Sequence, residues 1–414
     1  MSNHDQVLVC RTVALQNQAT VRSNMTSRER MLTAMSCGQP DRVPLYFRLF
    51  GFEPPEDLAW ANEAERLQRW ASLGVDDTVG MWAPGGMHPD VKVRSWREDP
   101  TEEEPYPLIC KEYDTPAGVL RHVVREAGDN FITGGPWRPD EVHLLDDYNV
   151  SRAKEHAVTG PEDLPKLRYL LAEPSAEQLR EAREHAAYAR RLAAENDVLI
   201  DGWGSNAVDA TIWLCGVEPA LMAAVDEPAF FEELMDILHA VDRRSCEFLL
   251  EEGVELLVRR GWYEGTHFWS PELYRRFFAP RVRELADMAH QAGAKFACTM
   301  SAGIMPLLDA FKEVGLDVLY HVDPVQGGAD LGIVKRKLGG EVAVLGGINS
   351  AITLGRGSRD EIRQAVFKAM KILAPDGGFI LSPVDCLFHD TPWESVATVI
   401  EAWREVCDYD TVIS

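Results

Sequence analysis

The chain has 414 residues, 46% hydrophobic and 26% charged, and its 66 acidic against 42 basic residues give a net charge of −24. That composition supports a sizeable core, and the length suits an α/β barrel with insertions. The acid excess argues against nucleic acid and against a substrate with many carboxylates. No run approaches the ~18 apolar residues that a membrane span needs.

The opening stretch, MSNHDQVLVCRTVALQNQATVRSN, lacks a basic start, an apolar core and a small-residue cleavage site, so a cytoplasmic location is expected. Residues 1–25 read as an extension and 26–414 as one barrel domain. The eight cysteines are scattered without a CxxC pair and read as buried thiols, not as a disulfide framework.

Thr26 to Ser36 predicts a helix capped at Ser27, and Val43 to Phe47 (VPLYF) a first strand ending at Arg48. A helix over Ala61 to Leu73 and a strand over Val75 to Met81 follow. From Val91 to Val124 the alternation, broken by an Asp-Thr-Pro-Ala-Gly turn, predicts antiparallel strands inside an insertion over about 85–195. A long charged helix spans Ser175 to Asn196.

Strand and helix then alternate. Strands are expected at Val198 to Ile200, Leu256 to Val258, Phe296 to Cys298, from Asp317, at Ala343 to Leu345 and at Phe379 to Leu381. Ser270-Pro271 opens one helix, and Arg359 to Leu373 and Pro392 to Val406 form others. Eight short apolar strands, most followed by a helix, predict a (β/α)8 TIM barrel, class α/β, with an antiparallel insertion.

In such a barrel chemistry gathers just past each strand. That rim reads Arg48, Trp82, Asp201, Trp203, Glu264, His267, Cys298, His321, Asp323, Asn349, Asp385, Cys386 and His389. Thiols, imidazoles and carboxylates together suit zinc, with Cys298, Cys386, His267 and Glu264 as candidate ligands. Glu264, His267 and Asp323 are candidate acids. Arg48, His321 and Asn349 could orient a substrate, and Trp82, Trp203 and Tyr263 could wall an aromatic pocket. Each has a plain alternative: Cys298 as an inert core thiol, Asp323 and Asn349 as turn residues, the tryptophans as core. No G-x-G-x-x-G, P-loop or G-x-S-x-G motif is present, which argues against dinucleotide, nucleotide triphosphate and serine esterase chemistry.

RERMLTAMSCGQPDRVPLYF (28–47), SPELYRRFFAP (270–280), GGINSAITLGRGSRDEIRQAV (346–366) and GGFILSPVDCLFHDTPWESV (377–396) resemble the uroporphyrinogen decarboxylase superfamily. The resemblance implies a barrel, commonly dimeric, with two activities in view. Decarboxylases of the family carry an arginine-rich R-Q-A-G-R-Y loop. Here the matching stretch is Arg48-Leu49-Phe50-Gly51-Phe52, with one arginine. The other branch moves methyl groups to or from a corrinoid held by a separate protein. Many of its members bind zinc through H-x-C and a late cysteine, and Cys386 falls within one residue of the latter. At the H-x-C place this chain has Thr299-Met300-Ser301, or Cys298-Thr299-Met300 after a one-residue shift.

The expectation is therefore a methyltransferase-type enzyme. It would act on a small, methoxylated aromatic or methylated donor, with a corrinoid protein as partner. The alternatives are a decarboxylase-like enzyme using Arg48 with Asp77 or Asp201, and a non-catalytic barrel that binds a corrinoid protein.

Overall fold

The computed structural model describes residues 25–128 and 137–410. The expected extension therefore lies almost entirely outside the described residues. Among the described residues thirteen strands follow in chain order: β1 (Leu49–Phe50), β2 (Thr78–Met81), β3 (Lys92–Glu98), β4 (Leu108–Thr115), β5 (Gly118–Arg125), β6 (Ala153–Glu155) and β7 (Leu199–Ser205). The second half adds β8 (Leu256–Arg260), β9 (Lys295–Thr299), β10 (Val318–Val322), β11 (Ala343–Asn349), β12 (Phe379–Val384) and β13 (Leu387–Phe388). The chain divides into two compact units. One holds the chain up to Gly80, Tyr188–Asp201 and Lys295 onward, the other Met81–Ala187 and Gly202–Ala294.

β2 and β7 to β12 make one curled, parallel seven-stranded sheet, an α/β architecture of the TIM-barrel kind. The eighth expected strand, at 43–47, is present only as bridges. Leu45 pairs in parallel with Leu381 of β12, and Tyr46 with Asp76 just ahead of β2. Three backbone bonds hold it there: Tyr46 N–H to Leu381 O at 3.0 Å, Leu381 N–H to Pro44 O at 2.9 Å, and Asp76 N–H to Leu45 O at 2.8 Å. Pro44 has no N–H to give, which keeps this ladder short.

In this first unit β9, β10, β11 and β12 lie side by side. Their residues are buried on both faces, as parallel strands covered by helices require. The first helix, Ser27–Met35, is capped by Thr26, not by the expected Ser27. The Thr26 and Glu29 side chains form a capping box, while the Ser27 hydroxyl accepts the Asp77 N–H at 3.4 Å. The helix Leu331–Leu338, capped by Asp330, has no counterpart in the sequence reading.

A buried ionic knot ties the start of this unit together. Arg30 donates to Asp41 at 2.6 and 3.1 Å and to Asp76 at 2.5 Å, and only 2% of the arginine is exposed. Burial raises the Asp76 carboxyl, against the pull of Arg30 and Arg42.

In the second unit β3 to β6 form the expected antiparallel insertion, with the β4–β5 turn closing at Gly118 (φ 120°). Its two faces pack separately: Ile109 and Val124 against Trp137, Val142 and Tyr148, and Leu108, Cys110 and Val123 against Trp96. Lys111 and His122 are cross-strand partners, both buried, and Lys111 donates to Val142 O. Burial, with Lys111 and His156 nearby, pushes the His122 imidazole down to about 4.

Two outcomes follow for stability. Arg30→Met leaves Asp76 buried without its cation and should cost about 3–5 kcal/mol in chemical denaturation. His122 takes its proton more readily in the unfolded chain, so its contribution is full above pH ~6.5 and lost as pH falls toward ~4. Thermal unfolding of His122→Phe should be less acid-sensitive than the parent across that window.

Candidate functional site

In the first unit, residues from separate strand ends converge on Arg48. β1 pairs in parallel with β13, and Leu387 N–H donates to Arg48 O at 2.8 Å, which seats Arg48 beside Asp385 and Cys386. Its Nη1 lies 3.3 Å from Asp385 Oδ1 and 3.4 Å from Cys386 Sγ, and the thiol donates to Asp385 Oδ1 at 3.1 Å. Tyr46, two residues earlier, has its phenol 3.5 Å from Thr78 Oγ1. Burial, with Asp201 and Asp77 close by, holds that phenol well above its ordinary value, against the opposing field of Arg48. Asp77 is pushed up to about 6 by burial, against the Arg66 guanidinium that donates to it at 2.5 Å.

β10 delivers two more members through a bulge. Tyr320 pairs with Leu345 but Val322 with Gly346, so His321 is an extra residue, held at φ 69°. Gly346 makes room for it: a Cβ there would lie 2.6 Å from Val322 N and 2.7 Å from Val322 O. Tyr320 is raised by burial and by Tyr46 and Asp201. His321 is fully buried and held well below its ordinary value by burial and by Arg48. The cluster thus comprises two guanidiniums, Arg48 and Arg66, two phenols, an imidazole, a thiol and three carboxyl groups.

Of the expected rim residues, Arg48, Asp201, His321, Asp385 and Cys386 meet here, together with the Asp77 of the decarboxylase alternative. Cys298 does not. It pairs in register with Leu319, whereas Thr299 pairs with Tyr320, and successive residues of a strand face opposite sides. Asn349 and Asp323 are committed to structure. The Asn349 amide donates to Asp323 at 2.8 Å and to Gln326 at 2.9 Å, while its oxygen caps Ile352 N at 2.7 Å.

In the second unit Glu264 is wholly buried in an ion pair with Arg259, and burial pushes its carboxyl up to about 7. His267 is exposed. Trp82 is 45% exposed and rests on His185 at 5.4 Å, and Trp203 is half-buried. Tyr263 is pinned by a network that the sequence reading missed. Its phenol donates to Asp147 at 3.1 Å, and Asp209 accepts the Tyr263 N–H at 3.0 Å and Arg260 Nε at 2.8 Å. A cleft of about 760 Å³ opens between Gly86, Leu171 and Phe248, and none of the expected site residues lines it.

Tyr46 and Tyr320 were also missed. The signal for Tyr46 was its spacing from Arg48, since residues two apart on an extended chain share a face. Among the described residues no three His, Cys, Asp or Glu side chains come together as a metal would need, the four expected ligands included. Cys386 and Asp385 have the Arg48 guanidinium as their neighbour, a cation where a cation would have to bind. This donor set does not fit zinc.

The sequence profile described as uroporphyrinogen decarboxylase (URO-D) matches residues 149–406. Among solved structures the chain is similar to a methyltransferase from Methanosarcina mazei, with 16% identity and a TM-score of 0.55, over 92% of this chain and 99% of that one. At that identity the likeness speaks for the fold. Weaker matches include a D-allulose 3-epimerase from Methylomonas (17% identity, TM-score 0.36, 56% of this chain and 92% of that). Another is the 3-keto-D-glucoside 4-epimerase from E. coli (12%, 0.35, 59% and 93%). No curated protein matches the chain.

The purified protein should carry substoichiometric zinc by atomic spectroscopy, and a chelator should leave its melting temperature unchanged. One zinc per chain, lost in Cys386→Ala, would contradict the donor-set argument.

Proposed function

This chain belongs to the uroporphyrinogen decarboxylase (URO-D) family, and we propose that it is a methyltransferase-type enzyme acting on a small methoxylated aromatic donor. The acceptor would be a corrinoid on a separate protein, which supplies the nucleophile for the methyl group. One observation carries the reading: of the two guanidiniums in the strand-end cluster, Arg66 is committed to Asp77, Glu63 and Thr78 O, and Arg48 alone faces Asp385 and Cys386. Breaking a methyl–oxygen bond leaves its electron pair, and so one negative charge, on oxygen. One cation answers one developing charge, whereas a substrate with several carboxylates would need several.

The roles follow from the environment of each group. Arg48 stabilises the leaving oxygen. Tyr46, kept protonated by burial, is a hydrogen-bond donor to it. Asp77, pushed up to about 6, holds a proton in part of the population near neutral pH and can return it to the departing phenolate. Glu264 and Asp323, both buried in bonds to their neighbours, are left out of this scheme.

A second reading is favoured by the same Asp77. A monocarboxylate seated on Arg48 could lose carbon dioxide, with the electron pair of the broken bond staying on carbon and taking the proton from Asp77.

The test supplies the full chain with a methoxyphenol and a corrinoid protein, and follows the corrinoid spectrum and the demethylated phenol. Arg48→Gln should lower turnover about 100-fold with an unchanged melting temperature. Wild-type turnover in that variant would refute the assignment of Arg48. Carbon dioxide release from an aromatic carboxylate, with no corrinoid protein added, would establish the second reading.

A further inference from the structure

The helix Val217–Asp226 in the second unit is built inside out. Its buried residues are Ala220, Ala223 and Ala224, while Met222 is 54% and Val225 65% exposed. Small residues facing inward let the helix lie close against its neighbours, the helices Ala207–Cys215 and Pro228–Glu251. That packing leaves no burial for the two larger apolar side chains. They stand three residues apart, so they share a face, and in water each exposes area that burial would make favourable.

The surroundings are acidic. From Leu192 to Asp242 the sequence has no lysine or arginine. Immediately after Val225 a cleft of about 470 Å³ is lined by Pro161, Asp226, Glu227, Pro228, Phe230 and Glu233. Glu233 is matched by Arg168 at 3.2 Å, and both of those side chains are more than half exposed. The result is an apolar step beside a small apolar-floored cleft, with carboxylates along the rim.

We propose that this face docks a partner protein presenting an apolar side chain flanked by lysines or arginines. Charge decides the occupant. An anionic membrane or a nucleic acid would be repelled by Asp226, Glu227 and Glu233. A second copy of a chain with net charge −24 would be opposed in the same way. A cationic, apolar segment gains on both counts, and its affinity falls with salt. This inference stands apart from the proposed chemistry and holds whichever reaction the Arg48 cluster performs.

The experiment uses the full chain and a fluorescein-labelled helical peptide with leucines on one face and lysines around it, read by anisotropy. Val225→Asp with Met222→Asp should weaken binding about tenfold, and Asp226→Lys with Glu227→Lys at least as much. Both changes lie at exposed positions. The control Glu177→Lys with Glu184→Lys, on the exposed face of the helix Ala176–Asn196, should leave it unchanged. Equal binding by all variants, or equal loss in the control, would overturn the proposal. So would a dimer in sedimentation that Val225→Asp dissociates, since the face would then belong to a second copy.

Discussion

Three backbone hydrogen bonds around Pro44, Leu45 and Tyr46 set the frame on which the Arg48 cluster depends. They hold an almost strandless piece of chain between β12 and Asp76. With Tyr46 fixed there, Arg48 falls two residues on, at the start of the two-residue ladder with β13. Side chains distant in sequence, Asp77 and Asp201 with Tyr46, Tyr46 and Asp201 with Tyr320, and Asp385 with Arg48, then act on one another electrostatically. The cost is local: a proline, a short ladder and few bonds. The gain is that the chain turns quickly from barrel wall to rim, placing a cation where strand ends open.

Buried charge is handled differently in the two units. Arg30 with Asp41 and Asp76, and Arg66 with Asp77, join the start of the chain to the region before β2. In the second unit Arg259 with Glu264, and Arg260 with Asp147 and Asp209, stabilise the exit of β8. Such pairs contribute little net stability against an apolar replacement, but removing one partner is expensive. They therefore define geometry more than they add strength. The exit of β8, rich in acids and aromatics, is for that reason a braced structure.

Periodicity was a good guide wherever burial is continuous. The strands at 256, 295, 343 and 379 and the helix Arg359–Leu373 stand where apolar spacing put them. It was a poor guide to Leu331–Leu338, a short helix whose Lys-Arg-Lys run hides its apolar stripe, and to the choice of Thr26 over Ser27 as cap, because both residue types cap helices. Site residues were harder still. Arg48, His321 and Cys386 could be placed by counting past strand ends. Cys298 could not be assigned a face without the register to Leu319, and the pairing of Glu264 with Arg259 depends on side-chain packing that spacing does not encode.

The extra residue in β10 has a further meaning. Side chains on a strand alternate with a period of two, so one added residue reverses the parity of everything beyond it. The bulge absorbs that change, since Val322 returns to register opposite Gly346, whose missing Cβ tolerates the close approach. Deleting His321 would restore an even ladder with Tyr320 opposite Leu345 and Val322 opposite Gly346. It would also remove the imidazole from beside Arg48. Length in this strand is thus a chemical variable: one residue decides whether the rim holds an imidazole.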